Sequence, residues 1–141
     1  MRVVDIYTDG ATSGNPGVSG AGIYIKANNK TYAYAVPLGM MSNHEAEFHA
    51  VIQALDICLE KFPKEILAFS SDSQLVVDTI EKGYTKNKTF QPLLEAINEK
   101  ANAFSLFFIK WIPSQKNVHA DKLAKQAILK QQREQHKHPY K

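Results

Sequence analysis

Hydrophobic and polar positions alternate along the first forty residues in the way typical of antiparallel strands. Residues 3–9 are mainly β-branched or aromatic and end on an aspartate, and residues 13–17 have the composition of a turn. Residues 18–25 and 31–36 then alternate with period two on either side of the polar turn 27–30. The pattern predicts three consecutive antiparallel strands.

After residue 40 the spacing of apolar positions changes to that of helices separated by short strands. Ser42 and Glu45 have the spacing of a capping box and predict a helix that runs to about Phe62, before Pro63. We then expect a strand over 65–71, a helix over 73–82 that Gly83 ends, a helix from about 92 to 103, a strand over 105–112 and a helix from Val118. This order predicts an α/β domain whose mixed five-stranded sheet combines three antiparallel with two parallel strands and carries helices on both faces.

The composition is that of an ordinary globular protein. The chain has 141 residues, of which 44% are hydrophobic and 22% charged, and this length fits one domain. It contains no apolar run of about 18 residues and no apolar leader segment, so we expect neither a membrane span nor a secretory signal. Its single cysteine, Cys58, excludes an internal disulfide framework and a cysteine-built zinc site. We therefore expect a cytoplasmic protein that is a monomer and does not bind membranes.

The net charge of +3 is confined to the C-terminal end. Residues 1–129 contain 13 basic and 13 acidic residues, so the whole excess lies in residues 130–141. We expect a domain over residues 1–129 followed by a basic tail over 130–141. Such a tail can contact phosphate groups, or it can be a solvated terminus.

Four acidic residues lie on an apolar helical face or at the ends of predicted strands and helices, rather than on a solvent-exposed face. Glu47 shares its helical face with apolar residues only, and a buried carboxylate is costly unless it is paired or binds a metal ion. Asp9 ends the first strand, Asp72 lies between a strand and a helix, and Asp121 lies in the first turn of the last helix. Taken singly, the three aspartates also suit turns or helix starts. Together, the four acids indicate a shared site for a divalent cation, and their hard oxygen atoms favour Mg²⁺ or Mn²⁺.

The motifs around these acids resemble those of type 1 ribonucleases H over residues 3 to about 129. They read TDGA and GNPG within 8–17, SNHEAE at 42–47, SDSQ at 71–74 and NVHADKLA at 117–124. The resemblance implies that Asp9, Glu47, Asp72 and Asp121 are the catalytic, metal-binding carboxylates and hold two Mg²⁺ or Mn²⁺ ions with substrate. It also implies an endonuclease that hydrolyses the RNA strand of RNA–DNA hybrids and leaves 5′-phosphate and 3′-hydroxyl ends.

Substrate contacts follow from the same resemblance. Asn15, Asn43 and Gln74 match family positions that contact the minor groove of the hybrid, and we add Ser73 and His44 as further substrate-binding residues. A 2′-hydroxyl in that groove distinguishes RNA from DNA. For Asn15 and Asn43, turn and cap chemistry is the alternative explanation.

The sequence departs from the family at two places near the site. The connection 113–117 is too short for the mobile loop that holds a histidine in many members, so the chain resembles a short form. His119 is a weak substitute, because it lies about 200° around the helix axis from Asp121. His44 stands where the family usually has asparagine.

Three other classes of protein remain as alternatives. One is a catalytically weak or inactive hybrid-binding protein that retained the fold. Another is a proofreading-type exonuclease, although such enzymes have a second acid two residues after the first and this chain has Ala11 there. The third is an interaction domain, which would leave the position of Glu47 without an explanation.

Overall fold

A mixed five-stranded sheet organises residues 2–137, the part of the chain that the computed structural model describes, with side chains described for residues 2–134. The order of the strands across the sheet is β3-β2-β1-β4-β5. The elements along the chain are β1 (Val3–Gly14), β2 (Gly17–Ala27), β3 (Lys30–Met41), α1 (Asn43–Lys61), β4 (Ile66–Ser71), α2 (Gln74–Lys82), α3 (Gln91–Ala101), β5 (Leu106–Trp111), a 3₁₀ turn (Ser114–Lys116) and α4 (Val118–Lys137).

The strand directions confirm the predicted α/β architecture. β1 pairs with β2 and β2 with β3 in antiparallel fashion, whereas β1–β4 and β4–β5 are parallel. The three antiparallel strands are longer than the sequence pattern predicts, because β1 and β2 remain paired up to Gly14 and Gly17. The hairpin therefore turns through Asn15 and Pro16 alone, at one end of the sheet.

The helix ends follow the predicted local chemistry. The Ser42 hydroxyl accepts a hydrogen bond from the Glu45 amide at 3.3 Å, and the Glu45 carboxylate accepts one from the Ser42 amide at 3.1 Å. This reciprocal pair is the expected capping box. Ser73 caps α2, and Gly83 ends it in the left-handed conformation with φ 70°.

Two glycines bring helices from opposite faces into direct contact with the sheet. A Cβ atom at Gly10 would clash with the backbone of Ala46 and Glu47 in α1, and one at Gly22 would clash with Ala120 in α4. Gly10 pairs with Ala21, and Gly22 pairs with Asp9, so the two glycines face opposite sides of the sheet. The main apolar core lies beneath α1 and is formed largely by β1, β2, β4 and the helices on that side.

The last helix continues beyond residue 129, where we placed the start of the basic tail. α4 extends to Lys137, and Gln131 joins it to the sheet. The Gln131 side-chain amide donates to the Ser19 carbonyl at 2.7 Å, and its oxygen accepts from the Gly39 amide at 3.0 Å. Residues 138–141 of the predicted tail lie outside the described residues. Among the described helices, none has the length and apolar character needed to cross a membrane.

Candidate metal and nucleic-acid site

Three of the four acids predicted to bind metal converge near the carboxyl end of β4, in the middle of the sheet. Asp9, Glu47 and Asp72 each offer a carboxylate oxygen, and these oxygens all lie within 4.8 Å of one another. They come from β1, from α1 and from the residue that follows β4. This separation lets the three groups share a small divalent cation.

Strand register and the close approach of α1 produce this convergence. Thr8 of β1 is the parallel partner of Ser71, the last residue of β4, so Asp9 and Asp72 directly follow a paired position. Glu47 reaches the same place because Gly10 lets the first turns of α1 rest directly on β1. A side chain at residue 10 would hold α1, and with it Glu47, away from Asp9.

Asp121 lies outside this group of three, but close enough for its charge to act on Asp9. It is carried there by α4, which meets the sheet at Gly22, the antiparallel partner of Asp9. The negative charge of Asp121 is one cause of the raised pKa of Asp9. Asp121 also accepts a hydrogen bond from Lys125 at 3.0 Å, one helical turn further along. The structure thus brings all four predicted acids into one neighbourhood.

The crowding of carboxylates makes the site electrostatically unfavourable without a cation. Burial, and then the negative charges of Asp72, Asp121 and Glu47, raise the pKa of Asp9 to about 8. Burial also raises the pKa of Glu47, against the opposing effect of its hydrogen bonds to His44 and Ser73. A bound divalent cation would stabilise the charged form of every one of these groups.

Glu47 is held by two of the residues that we predicted to contact substrate. His44 Nδ1 lies 2.9 Å from Glu47 Oε1, and the Ser73 hydroxyl donates to the same oxygen at 3.1 Å. The Ser73 hydroxyl also accepts a hydrogen bond from the Val76 amide as the cap of α2. Both side chains therefore orient a carboxylate of the cluster. The spacing of three residues between His44 and Glu47 was a signal for this contact in the sequence.

The three remaining residues predicted to contact substrate lie on the rim of the site. The Asn15 side-chain oxygen accepts a hydrogen bond from the Asn43 amide at 3.0 Å and so fastens the β1–β2 turn to the start of α1. This contact agrees with the alternative of turn and cap chemistry, and it leaves the side-chain NH₂ group of Asn15 as a donor. Gln74 is exposed, and its amide donates to Asp78 at 2.8 Å.

Two further residues support the cluster, and sequence reasoning did not find these roles. Asn117 is 1% exposed, and its side-chain amide donates to the Thr8 carbonyl at 2.9 Å, directly before Asp9. Its Oδ1 atom is buried without a hydrogen-bond partner among the described residues. The indole of Trp111 donates to the Asp72 carbonyl at 3.2 Å.

Comparison with known proteins places these residues in context. A family model described as RNase H matches residues 1–129. The protein EbsB of Enterococcus faecalis is 44% identical over 126 residues, which cover 89% of this chain and 93% of that protein. The ribonuclease H of Trichodesmium erythraeum is 37% identical over 83 residues, covering 59% of this chain and 51% of that enzyme.

Solved structures show the same architecture. The RNase H1 of the archaeon Halobacterium salinarum superposes with a TM-score of 0.83 at 26% identity, covering 89% of this chain and 97% of that one. LC11-RNase H1, solved in complex with an RNA/DNA hybrid, gives a TM-score of 0.83 at 29% identity and covers 90% of this chain and 97% of that one.

Proposed function

The chain belongs to the ribonuclease H family, and from this premise we propose that it hydrolyses the RNA strand of RNA–DNA hybrids by two-metal-ion catalysis. The products would carry 5′-phosphate and 3′-hydroxyl ends. The observation that carries the proposal is the convergence of Asp9, Glu47 and Asp72, whose carboxylate oxygens lie within 4.8 Å of one another. A cluster of this kind is costly in a protein that has no cation to bind.

The donor set fits Mg²⁺ or Mn²⁺. It consists of carboxylate oxygens, the ligands that hard cations prefer, and includes no cysteine. Asp9, Glu47, Asp72 and Asp121 would hold the metal. Two bound ions would supply an activated water on one side of the phosphodiester and stabilise the leaving 3′-oxygen on the other.

The chain's own residues keep these ligands in position. Ser73 and His44 fix the orientation of the Glu47 carboxylate, and Trp111 holds the backbone at Asp72. Asn117 does the same for the strand residue before Asp9. Such partners matter because a ligand that is free to rotate binds metal more weakly.

Recognition of the RNA strand is assigned to the rim of the site. Asn15 contacts Asn43 at the start of α1, and Gln74 follows Asp72 by two residues. Their amide groups can donate to a 2′-hydroxyl or accept from it. His44 uses Nδ1 to contact Glu47, so its other ring nitrogen is the atom that can face a nucleotide. A hybrid is the substrate that suits such a rim.

The alternative of a catalytically weak hybrid-binding protein has one observation in its favour. β5 and α4 are joined only by a short connection around the 3₁₀ turn Ser114–Lys116. A mobile loop that assists turnover has no space there. The intact carboxylate cluster favours an active enzyme over this alternative.

A cleavage assay on four labelled substrates tests the proposal. The substrates are an RNA–DNA hybrid, double-stranded RNA, double-stranded DNA and single-stranded RNA, each with Mg²⁺, Mn²⁺ or EDTA. We expect cleavage of the RNA strand in the hybrid only, and none with EDTA. Binding of the hybrid without cleavage in either metal would favour the alternative, and cleavage of all four substrates would contradict the assigned specificity.

A further inference from the structure

A small cavity opens on the α4 side of the sheet, beside the carboxylate cluster and separate from it. Its volume is about 90 Å³, which is enough to admit a small polar group. We call it the α4 cavity, and its lining residues are Tyr7, Tyr24, Lys26, Lys116, Asn117 and His119.

Aromatic contacts fix the walls of the α4 cavity. The rings of Tyr24 and His119 stack with centroids 4.2 Å apart and planes within 10°. Lys26 Nζ lies 5.5 Å from the centroid of the Tyr7 ring. Because Tyr24 and His119 already stack on each other, a base cannot insert between them, and the volume suits a single compact group.

The charge of the lining favours an anion. Lys26 and Lys116 both contribute to it, and within residues 2–134 neither forms an ion pair, in contrast to Lys100 and Lys125. Asp5 is the cross-strand neighbour of Lys26, but it does not line the cavity. The first turn of α4 adds a partial positive potential to that of the two ammonium groups.

The position of the α4 cavity connects it to the cleavage chemistry. Tyr7 lies two residues before Asp9 on the same face of β1, a separation of about 7 Å along the strand. On α4, His119 precedes Asp121 by two residues, and Asn117 is bonded to Thr8. A polyanionic strand whose scissile phosphate lies at the carboxylates therefore passes close to this cavity.

We propose that the α4 cavity binds a backbone phosphate of the RNA strand that flanks the cleavage site, with Lys116 and Lys26 as its charged contacts. The inference rests on the proposed function for the identity of the strand. Phosphate contacts position a nucleic acid without reading its sequence. Residues 1–129 carry no net charge. The cavity would thus give this part of the chain a local basic site for a polyanion.

Measurement of hybrid binding in a catalytically inactive background tests this assignment. In an Asp9→Asn protein, the affinity for a labelled hybrid is followed by fluorescence anisotropy at several salt concentrations. Lys116→Ala and Lys26→Ala should each weaken binding about three- to tenfold and reduce the slope of log K against log salt by roughly one. Lys61→Ala is the matched control, because it removes the same charge about 20 Å along α1 from Glu47. Equal affinities and slopes for the three lysine variants would overturn the proposal.

Single methylphosphonate substitutions in the RNA strand identify the phosphate. Substitution of one phosphate near the cleavage site should lower the affinity of the Asp9→Asn protein for the hybrid. The same substitution should have no further effect on the affinity of a protein that carries both Asp9→Asn and Lys116→Ala. Titration with inorganic phosphate distinguishes a site for free phosphate from a site for the strand. If phosphate shifts the amide NMR signals of residues 116–119 while Lys116→Ala leaves the affinity for hybrid unchanged, the cavity binds free phosphate. That result would overturn the assignment to the RNA strand. Failure of the wild-type protein to cleave hybrid would reject the proposed function while leaving these binding measurements interpretable.

Discussion

His44 Nδ1 lies 2.9 Å from Glu47 Oε1, one helical turn away at the start of α1. A residue that we predicted to contact substrate thus holds a carboxylate of the proposed metal site. Replacing a side chain that orients a metal ligand commonly lowers metal affinity or activity about ten- to a hundredfold. The contact gives His44 a positioning role that can be separated experimentally from substrate binding.

Replacing His44 with alanine should weaken the response to metal more than the binding of hybrid. The variant leaves Glu47 with Ser73 as its remaining hydrogen-bond donor, so we expect the Mg²⁺ concentration for half-maximal cleavage to rise about tenfold. KM for hybrid should change less than about threefold. A raised KM with unchanged Mg²⁺ dependence would show that His44 acts only on the substrate.

Substitution of Ser73 should reduce stability as well as activity. Its hydroxyl caps α2 through Val76 and donates to Glu47, and loss of a serine cap costs about 1 kcal/mol. We expect Ser73→Ala to lower the free energy of unfolding by about that amount in urea titrations. Ser13→Ala, at an exposed position in β1, should stay within about 0.5 kcal/mol of wild type. Equal stabilities of the two variants would contradict the capping role.

The raised pKa of Asp9 predicts how the stability of the metal-free protein depends on pH. The pKa of Asp9 is about 8 in the folded state, against 3.8 for an ordinary aspartate. Between these values the folded state therefore keeps a proton that the unfolded state releases. This contribution to stability is present below pH 3.8 and is lost as the pH rises through about 8. In EDTA, we expect wild type to lose stability relative to Asp9→Asn between pH 5.5 and 8.5.

Metal should reverse that trend, because it binds the ionised carboxylates. Millimolar Mg²⁺ should raise the melting temperature more at pH 8 than at pH 6 in wild type, and much less in Asp9→Asn. Parallel pH profiles for the two proteins in EDTA would contradict the shifted pKa. An equal effect of Mg²⁺ on both proteins would show that the metal binds elsewhere.

The contact of α4 with the sheet predicts a large effect of a methyl group at residue 22. A Cβ there would clash with the backbone of Ala120 and Ala124, so Gly22→Ala should push α4, and with it Asp121, away from Asp9. We expect a loss of stability of more than about 2 kcal/mol. Gly39→Ala is the control, because its φ is 80° but no atom lies within 4 Å of the added carbon. A Gly22→Ala protein as stable as wild type would contradict the close approach of α4 to the sheet.

The fold and the acids of the site were largely predictable because both depend on local pattern. Period-two alternation gave the first three strands, and a capping box marks the start of α1 in sequence and in structure. Glu47 was identifiable because a charge on an apolar helical face needs a partner. The strand lengths were less predictable, since glycine and proline near the hairpin suggest a wider turn than the paired backbone adopts.

The supporting contacts could not be predicted, because they join residues through strand register and helix approach. Asn117 reaches Thr8 across 109 positions of sequence, and Trp111 reaches Asp72 across 39. Neither pair has a local signal. The α4 cavity could not be predicted for the same reason, since its two lysines come from β2 and from the turn before α4.

Cleavage of a labelled RNA–DNA hybrid by wild type and by Asp9→Asn tests the central claim most directly. The substitution is nearly isosteric and removes a charged ligand from the cluster, so the cleavage rate in Mg²⁺ and Mn²⁺ should fall roughly a thousandfold. Hybrid affinity should be retained or increase, because a negative charge near the phosphates is removed, and the circular dichroism spectrum should be unchanged. A folded Asp9→Asn protein that cleaves the hybrid at the wild-type rate would contradict the assignment of this carboxylate cluster as the catalytic metal site.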